Sequence, residues 1–424
     1  MKIALLSICI LFTNSLFAAR FISPEDYKFP KIDFATATLA AGIIAPHDGF
    51  SYTQIKFKSQ QNPRRRLGWL KVHFYESLTP SESLVFVMSG IGGDAKSETS
   101  NYLASEIIKK GHHAVVIPSV FTKEFANSYS SSGYVGLLNL DSEDMIELLV
   151  QVRQFIEEKG IRISSQKMVG FSLGALTAAH LSEEAAKLPG IEFDKVVMIN
   201  PPVDLIYGLR YLDKAAEHRK KMSTIYFLKI GISVLKTIKN AMAAALDLET
   251  YTNSLNNFKF LTVEECNFFI AESLGASLKG VVEASQDAFD LEVLPPKPLS
   301  GSALANYDRS RRNGAISKVN FEGYIQNFVV DYFKDHNDGT DEFKTYTLAA
   351  MNKRVSMVSV AAHIRSNPRI FLMTNVDDFL LRGQSDVDYL SELFGDRATF
   401  YPRGGHIGNM WYKENMDEMF ALIK

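Results

Sequence analysis

A serine lies where a short apolar strand turns directly into a helix of small residues, in the segment KMVGFSLGA from Lys167 to Ala175. Ser172 is that serine, and Gly170 and Gly174 complete the pattern G-x-S-x-G. Such a turn, called a nucleophile elbow, is so tight that the serine is strained and its hydroxyl is exposed. Glycine suits the flanking positions because a Cβ atom there would collide with neighbouring backbone. The pattern predicts that Ser172 is a nucleophile.

A serine nucleophile needs a base, and the base needs an acid to orient it. Two carboxylates follow Ser172 along the chain, where the predicted strand 369–374 runs into Asn375-Val376-Asp377-Asp378. A carboxylate at the carboxyl end of a parallel strand projects into the crevice where active sites form. Either Asp377 or Asp378 could orient the base, and the other aspartate would then cap the turn.

The candidate base is His406, in the loop RGGHIGN that follows the last predicted strand. Its two preceding glycines allow the loop to bend, so that the imidazole can return to Ser172. His113, His180 and His363 fall within predicted strands or helices and fit this role less well. We therefore expect His406 to deprotonate the serine.

An ester-cleaving site also needs two preorganised N–H donors for the oxyanion. The backbone N–H of Leu173 is one candidate, because it lies at the start of the helix after the serine. The other is the backbone N–H of Ile91, in the glycine-rich loop SGIGGD after the strand 84–88. The alternative, a phosphate-binding loop, lacks the Lys-Ser/Thr ending and the downstream acidic residue.

The rest of the chain alternates between strand and helix patterns. The stretches 51–57 and 66–74 alternate apolar and polar residues, which predicts an antiparallel start to the sheet. Continuous apolar runs predict buried parallel strands at 84–88, 113–117, 195–200, 369–374 and 398–402. Helical periodicity predicts helices at 101–110, 142–159, 351–365, 385–394 and 409–423. This order predicts one three-layer α/β domain.

Residues 203–345 break this alternation and are predicted to form a mainly helical insertion. Its clearest helix spans 225–246 and carries apolar residues at helical spacing: Ile225, Leu228, Ile232, Leu235, Ile238 and Met242. Two interpretations stay open. The helix is a lid whose apolar face lines an acyl pocket or touches lipid, or it is buried against the core.

Residues 1–19 have the pattern of a signal peptide. Lys2 is followed by the apolar run 3–12, and Phe17-Ala18-Ala19 offers small residues for cleavage. The pattern predicts a periplasmic or extracellular protein. Cys266 is then the remaining cysteine, and we expect it to be a small buried residue.

Composition argues against a nucleic-acid partner, since 46 basic and 48 acidic residues give a net charge of −2. We see no cluster of His, Cys or carboxylate residues with metal-ligand spacing, and therefore expect neither a metal nor a cofactor.

The motifs SGIGGD, GFSLG, NVDD and GGHIGN resemble those of secreted serine hydrolases of the esterase/lipase superfamily, which have the α/β-hydrolase fold. They lie within 51–202 and 346–424. The resemblance implies a mostly parallel sheet with an antiparallel start, a hydrolase core at 20–202 and 346–424, and a helical lid at 203–345. It also favours Asp378 over Asp377 as the acid. The chain departs from the pattern at Ser89, where many members have a histidine.

The resemblance implies hydrolysis of carboxylic esters through an acyl-enzyme, with a small-molecule or lipid ester as substrate and peripheral membrane contact through the lid. Two alternatives remain: an amide or peptide hydrolase with the same three residues, and a catalytically silent binding module.

Overall fold

The computed structural model describes residues 18–43, 49–60, 68–188, 191–244, 260–289, 294–295, 305–330 and 348–424. The strands are β1 Arg20–Phe21, β2 Thr53–Phe57, β3 Leu70–Tyr75, β4 Ser83–Met88, β5 His113–Ile117, β6 Ser165–Phe171, β7 Lys195–Ile199, β8 Ile370–Asn375 and β9 Ala398–Tyr401. The helices are α1 Phe34–Ile43, α2 Glu98–Lys109, α3 Lys123–Ser128, α4 Leu138–Glu158, α5 Leu173–Ala185, α6 Leu205–Ala216, α7 Thr224–Ala244, α8 Val263–Phe289, α9 Ala305–Ile316, α10 Phe321–Tyr324, α11 Leu348–Val355, α12 Met357–Ser366, α13 Gln384–Phe394 and α14 Lys413–Ile423. Short turns of other helix types lie at Glu217–Lys221, Ile325–Val329 and Gly395–Arg397.

The strands form one mixed sheet in the order β1-β9-β8-β7-β6-β4-β5-β3-β2. Its pairs are parallel except β2 with β3 and β3 with β5, so the predicted antiparallel start is confirmed. Every residue of β5 is buried, as expected for a strand inside a sheet that is covered on both faces. With helices flanking this sheet, the predicted three-layer α/β architecture is confirmed.

The parallel register brings the ends of four strands to one edge of the sheet. Met88 of β4 pairs with Gly170 of β6, Phe171 with Ile199 of β7, and Ile199 with Met373 of β8. The loops after β4, β6, β7 and β8 therefore meet at this carboxyl edge, where open α/β sheets place their sites.

Several predicted helix boundaries are wrong. The helices expected at 101–110 and 142–159 begin earlier, at Glu98 and Leu138. The single helix expected at 351–365 is two helices, because Ser356 has an extended backbone (φ −103°, ψ 173°) and its Oγ accepts a hydrogen bond from Leu205 N at 2.8 Å. The last helix begins at Lys413 rather than near Asn409. Asn409 is buried, and its side chain bonds to Asn375 instead of starting the helix.

The segment before residue 50 contributes elements that the sequence patterns did not predict. β1 pairs parallel with β9 at one end of the sheet, and α1 packs against α8. Cys266 of α8 is fully buried, with its Sγ 3.8 Å from Thr36 Oγ1, and burial raises the pKa of its thiol to about 12. Residues 1–17 of the predicted signal peptide lie outside the described residues.

The described residues of the predicted insertion at 203–345 form mainly helices, α6 to α10, joined by turns and irregular segments. Its division from the core as a separate lid stays a prediction. No helix among the described residues is long and apolar enough to cross a membrane.

The elbow glycines are required by close backbone approach. A Cβ atom on Gly174 would lie 2.3 Å from the carbonyl oxygen of Met88, and one on Gly170 would lie 2.3 Å from the carbonyl oxygen of Gly174. Backbone cannot move away cheaply in a packed interior. The strand β4, the strand β6 and the helix α5 therefore touch through their main chains.

We expect Gly174→Ala to lower the free energy of unfolding by about 3 kcal/mol, since overpacking against backbone forces whole elements apart. Gly231→Ala is the matched control, because Gly231 is also helical and has nothing within 4 Å of the added Cβ. That control should stabilise the protein by about 1 kcal/mol or less. Urea denaturation measures both, and equal midpoints for the two variants would contradict the close-packed elbow.

Candidate active site

Ser172 lies between the end of β6 and the start of α5, with φ 56° and ψ −131°. A non-glycine residue in such a region costs about 1–3 kcal/mol and persists only when its surroundings hold it there. One such contact is the bond from Ser172 N to the carbonyl oxygen of Ile199, at 2.9 Å. The strain predicted for the elbow is therefore present, and the neighbouring strand β7 fixes it.

The structure brings the three sequence-predicted residues into one hydrogen-bonded chain. Ser172 Oγ lies 2.8 Å from His406 Nε2, and His406 Nδ1 lies 2.9 Å from Asp378 Oδ2. A carboxylate can only accept, so Nδ1 carries the proton and Nε2 is left to accept from the serine. All three residues are buried, with exposed fractions of 8%, 6% and 3%. This arrangement can deprotonate the serine as it attacks an electrophile.

Asp378 is held by two further donors. Asn200 Nδ2 donates to Oδ2 at 2.8 Å, and Leu380 N donates to Oδ1 at 2.9 Å. Asn200 follows β7 and has φ 48°, a left-handed conformation that asparagine tolerates better than most residues. Each oxygen of the Asp378 carboxylate is thus held by a hydrogen bond other than the one to His406.

Asp377 supports the loop that carries the histidine. Gly405 N donates to its Oδ1 at 2.8 Å and Gly404 N donates to its Oδ2 at 3.2 Å. Burial raises the pKa of Asp377 to about 6, although both backbone bonds act in the opposite direction. Of the two aspartates left open by the strand-end pattern, Asp378 is the one that contacts His406.

The N-terminal segment holds the same loop from the other side. His406 N donates to Thr38 Oγ1 at 2.8 Å, and that hydroxyl donates to the carbonyl oxygen of Phe34 at 2.7 Å. The Arg403 guanidinium donates to the carbonyl oxygen of Phe29 at 2.9 Å. A Cβ atom on Gly405 would lie only 2.2 Å from the carbonyl oxygen of Phe34. The helix α1 is therefore part of the site.

A buried polar network continues below the histidine loop. Asn375 Nδ2 donates to the carbonyl oxygen of Gly405 at 2.7 Å, and the amides of Asn375 and Asn409 bond to each other. Asn409 also donates to the Tyr27 hydroxyl at 2.7 Å, and burial raises the pKa of Tyr27 above its usual value. These groups satisfy one another inside the protein, which gives the loop one defined shape.

A cleft of about 640 Å³ opens over Ser172 and His406. Its walls come from the loop after β4, from α1 and from α8. Gly90 of that loop lies against the serine, since a Cβ atom there would be 3.1 Å from Ser172 Cβ. Ile91 and Leu173, the two predicted oxyanion donors, line a smaller pocket together with Ser172 and His406. Their role as donors stays a prediction.

The loop after β4 is anchored by Ser89, at the position where the related pattern has a histidine. Ser89 N donates to the carbonyl oxygen of Ile117 at 3.2 Å, and its hydroxyl lies 2.8 Å from Ser100 Oγ in α2. The substitution therefore gives the loop a bond to α2.

The elbow after a parallel strand, with the acid after a later strand and the histidine after the last one, is the arrangement that defines one family of folds. The chain has the α/β-hydrolase fold. No family model matches this chain, and no curated protein sequence does. The sheet order, the elbow and the chain order of Ser172, Asp378 and His406 are the features of this fold that the chain has.

Solved structures of α/β-hydrolases are similar to it at low identity. An inferred hydrolase from Legionella pneumophila is 10% identical, with a TM-score of 0.44, over 92% of this chain and 95% of that one. A lipase in an open form is 12% identical, with a TM-score of 0.43, over 88% and 98%. Esterase B from Lactobacillus rhamnosis is 9% identical, with a TM-score of 0.42, over 92% and 89%.

Three supporting residues of this α/β-hydrolase site were missed by sequence reasoning. Thr38 and Tyr27 lie more than 360 positions from the loop that they hold, so local patterns could not connect them. Asn200 carried a weak signal, as a polar residue at the end of an apolar strand before two prolines. Among the described residues, no group of three or more His, Cys, Asp or Glu side chains could hold a metal ion.

The raised pKa of Asp377 predicts a pH-dependent stability. The pKa of its carboxyl is 3.8 in the unfolded chain and about 6 in the folded protein, so its stabilisation is complete below pH 3.8 and is lost as the pH rises through 6. The side chain introduced by Asp377→Asn is neutral at every pH. The variant therefore does not lose stability through this group as the pH rises. We expect the variant to gain stability relative to the wild type between pH 4 and 7, measured by urea denaturation. A stability difference between the variant and the wild type that stays constant from pH 4 to 7 would contradict a raised pKa for Asp377.

Proposed function

We propose that this protein is a serine hydrolase that cleaves carboxylic esters of small molecules or lipids through an acyl-enzyme. One observation carries the proposal: the buried chain from Ser172 through His406 to Asp378, with bonds of 2.8 and 2.9 Å, on a strained elbow. A serine that merely fills space has no need of a strained backbone and an oriented imidazole. This also argues against a silent binding module.

In the proposed mechanism, Ser172 Oγ attacks the ester carbonyl while His406 Nε2 takes its proton. The oxyanion forms beside the backbone N–H groups of Leu173 and Ile91. Collapse breaks the bond to the alcohol oxygen, which leaves with the proton from His406. Water then attacks the acyl carbon by the same steps, releasing the carboxylic acid and restoring the serine. Asp378 keeps the proton on Nδ1 and stabilises the imidazolium.

We further propose that the protein is exported to the periplasm or the extracellular space. Residues 1–19 support this through Lys2, the apolar run 3–12 and the small residues before position 20. The proposal for the ester site does not depend on this location.

Peripheral membrane contact is proposed for the helix α7. Ile225, Leu228 and Leu235 lie on it at helical spacing and are 81%, 57% and 67% exposed, whereas Ile230 and Val234 are buried. Exposed lysines at 229, 236 and 239 flank the apolar stripe. An exposed apolar stripe beside cations is the pattern of a helix that lies in the interface of an anionic membrane.

Removing the hydroxyl in Ser172→Ala should reduce ester turnover by at least about 10⁴-fold and leave the fold intact, because the rest of the site keeps its contacts. A fluorophosphonate should label the wild type at Ser172 and leave the variant unmodified. Near-normal turnover by a folded variant would refute the mechanism.

A second assay compares short-chain esters, long-chain esters and aminoacyl amides as substrates of the wild type. Faster cleavage of the amides would favour the amide hydrolase instead.

Asp378→Asn should lower kcat by about 10⁴-fold, since the amide favours the wrong imidazole tautomer. Asp377→Asn keeps one acceptor for the loop amides and should lower kcat by only about tenfold. Steady-state kinetics on one ester compares the two variants directly. The reverse order of effects would assign the acid to Asp377.

The double substitution Leu228→Ser with Leu235→Ser should weaken binding to phosphatidylglycerol vesicles roughly 100-fold, at about 1.5 kcal/mol for each leucine. Leu78→Ser is the matched control, because Leu78 is 59% exposed outside α7. Vesicle sedimentation gives the affinities. Equal binding by the wild type and the double variant would refute contact through this stripe.

A further inference from the structure

A small apolar chamber lies beside Ser172 and shares Ile91, Ser172, Leu274 and His406 with the large cleft. Its volume is about 30 Å³, and Ser172, Leu173 and His406 form the wall nearest the proposed chemistry. The remaining wall is apolar and includes Leu205 and Leu209 of α6, which are 8% and 7% exposed. The chamber is therefore lined in part by the residues of the proposed reaction and in part by buried apolar side chains.

A second chamber of about 30 Å³ continues behind the first. Ile91, Leu205 and Leu209 line both chambers, so these three side chains form the partition between them. Phe121 and Tyr324, both buried, line the second chamber but not the first. The partition thus determines how far a chain could extend from Ser172.

The large cleft differs from these chambers in size and in chemistry. It measures about 640 Å³, and its rim carries the exposed carboxylates of Asp94 and Glu98 and the hydroxyl of Ser277. In ester hydrolysis the alcohol must leave toward solvent, whereas the acyl group stays attached to the serine until water arrives. The wide, partly polar cleft suits the group that leaves, and the small chamber suits the group that stays.

We propose that the substrate is an ester of a short acyl group, acetyl or propionyl, with a bulky alcohol, and that the partition of Ile91, Leu205 and Leu209 sets the acyl limit. One water-sized group needs about 10–15 Å³ of cavity volume. The chamber of about 30 Å³ therefore takes about two non-hydrogen atoms beyond the carbonyl carbon. The proposal rests on the esterase function proposed above.

The test compares kcat/KM for p-nitrophenyl acetate, propionate, butyrate and octanoate. Wild-type enzyme should prefer acetate or propionate to octanoate by at least tenfold, because each methylene beyond the chamber meets a packed wall. Leu209→Ala opens the partition into the second chamber and should raise the butyrate-to-acetate ratio at least tenfold. Leu209→Met conserves the volume of the side chain but makes it flexible, so it should shift the butyrate-to-acetate ratio in the same direction by less. This variant replaces Leu209→Ala as the test if the alanine variant does not fold.

Leu393→Ala is the control for loss of packing, since Leu393 is buried in α13 and lines neither chamber. Its butyrate-to-acetate ratio should equal that of the wild type. Octanoate as the preferred wild-type substrate, or an unchanged ratio in both folded Leu209 variants, would overturn the acyl assignment and place the acyl group in the cleft. Absence of fluorophosphonate labelling at Ser172 would instead overturn the esterase function.

Discussion

Contact between main chains at the elbow is the constraint on which the site depends. The helix α5 begins so close to β4 that Gly174 has no room for a side chain, and β7 binds Ser172 N through the carbonyl oxygen of Ile199. Since packed backbone cannot relax, Ser172 keeps φ 56°, and this fixes the direction of its Cβ atom relative to the sheet. The backbone of Ser172 is thus placed by steric exclusion rather than by charge.

The imidazole is placed by a second set of contacts. Thr38 and Asp377 bind the backbone of the histidine loop from two sides, while Asp378 binds the ring itself. The histidine and the serine are then joined directly by one hydrogen bond of 2.8 Å. Preorganisation of this kind lets a site stabilise charge without reorganising during the reaction.

Local patterns predicted the strands and the elbow because buried parallel strands and G-x-S-x-G are determined by neighbours in sequence. They could not separate Asp377 from Asp378, because both follow the same strand and only the direction of each side chain distinguishes them. Thr38 lay beyond any local pattern, since its partner is 368 residues away. The helix predicted at 351–365 is interrupted at Ser356, because the Ser356 hydroxyl accepts a hydrogen bond from the backbone N–H of Leu205 in α6. This tertiary contact outweighs helical periodicity.

A crystal structure of the protein after reaction with a fluorophosphonate tests the central claim most directly. The account predicts phosphorus bonded to Ser172 Oγ and the phosphoryl oxygen about 2.7–3.1 Å from the backbone nitrogens of Leu173 and Ile91, with His406 still bound to Asp378. A phosphoryl oxygen directed away from both nitrogens, or an unmodified serine beside an intact His406, would contradict it.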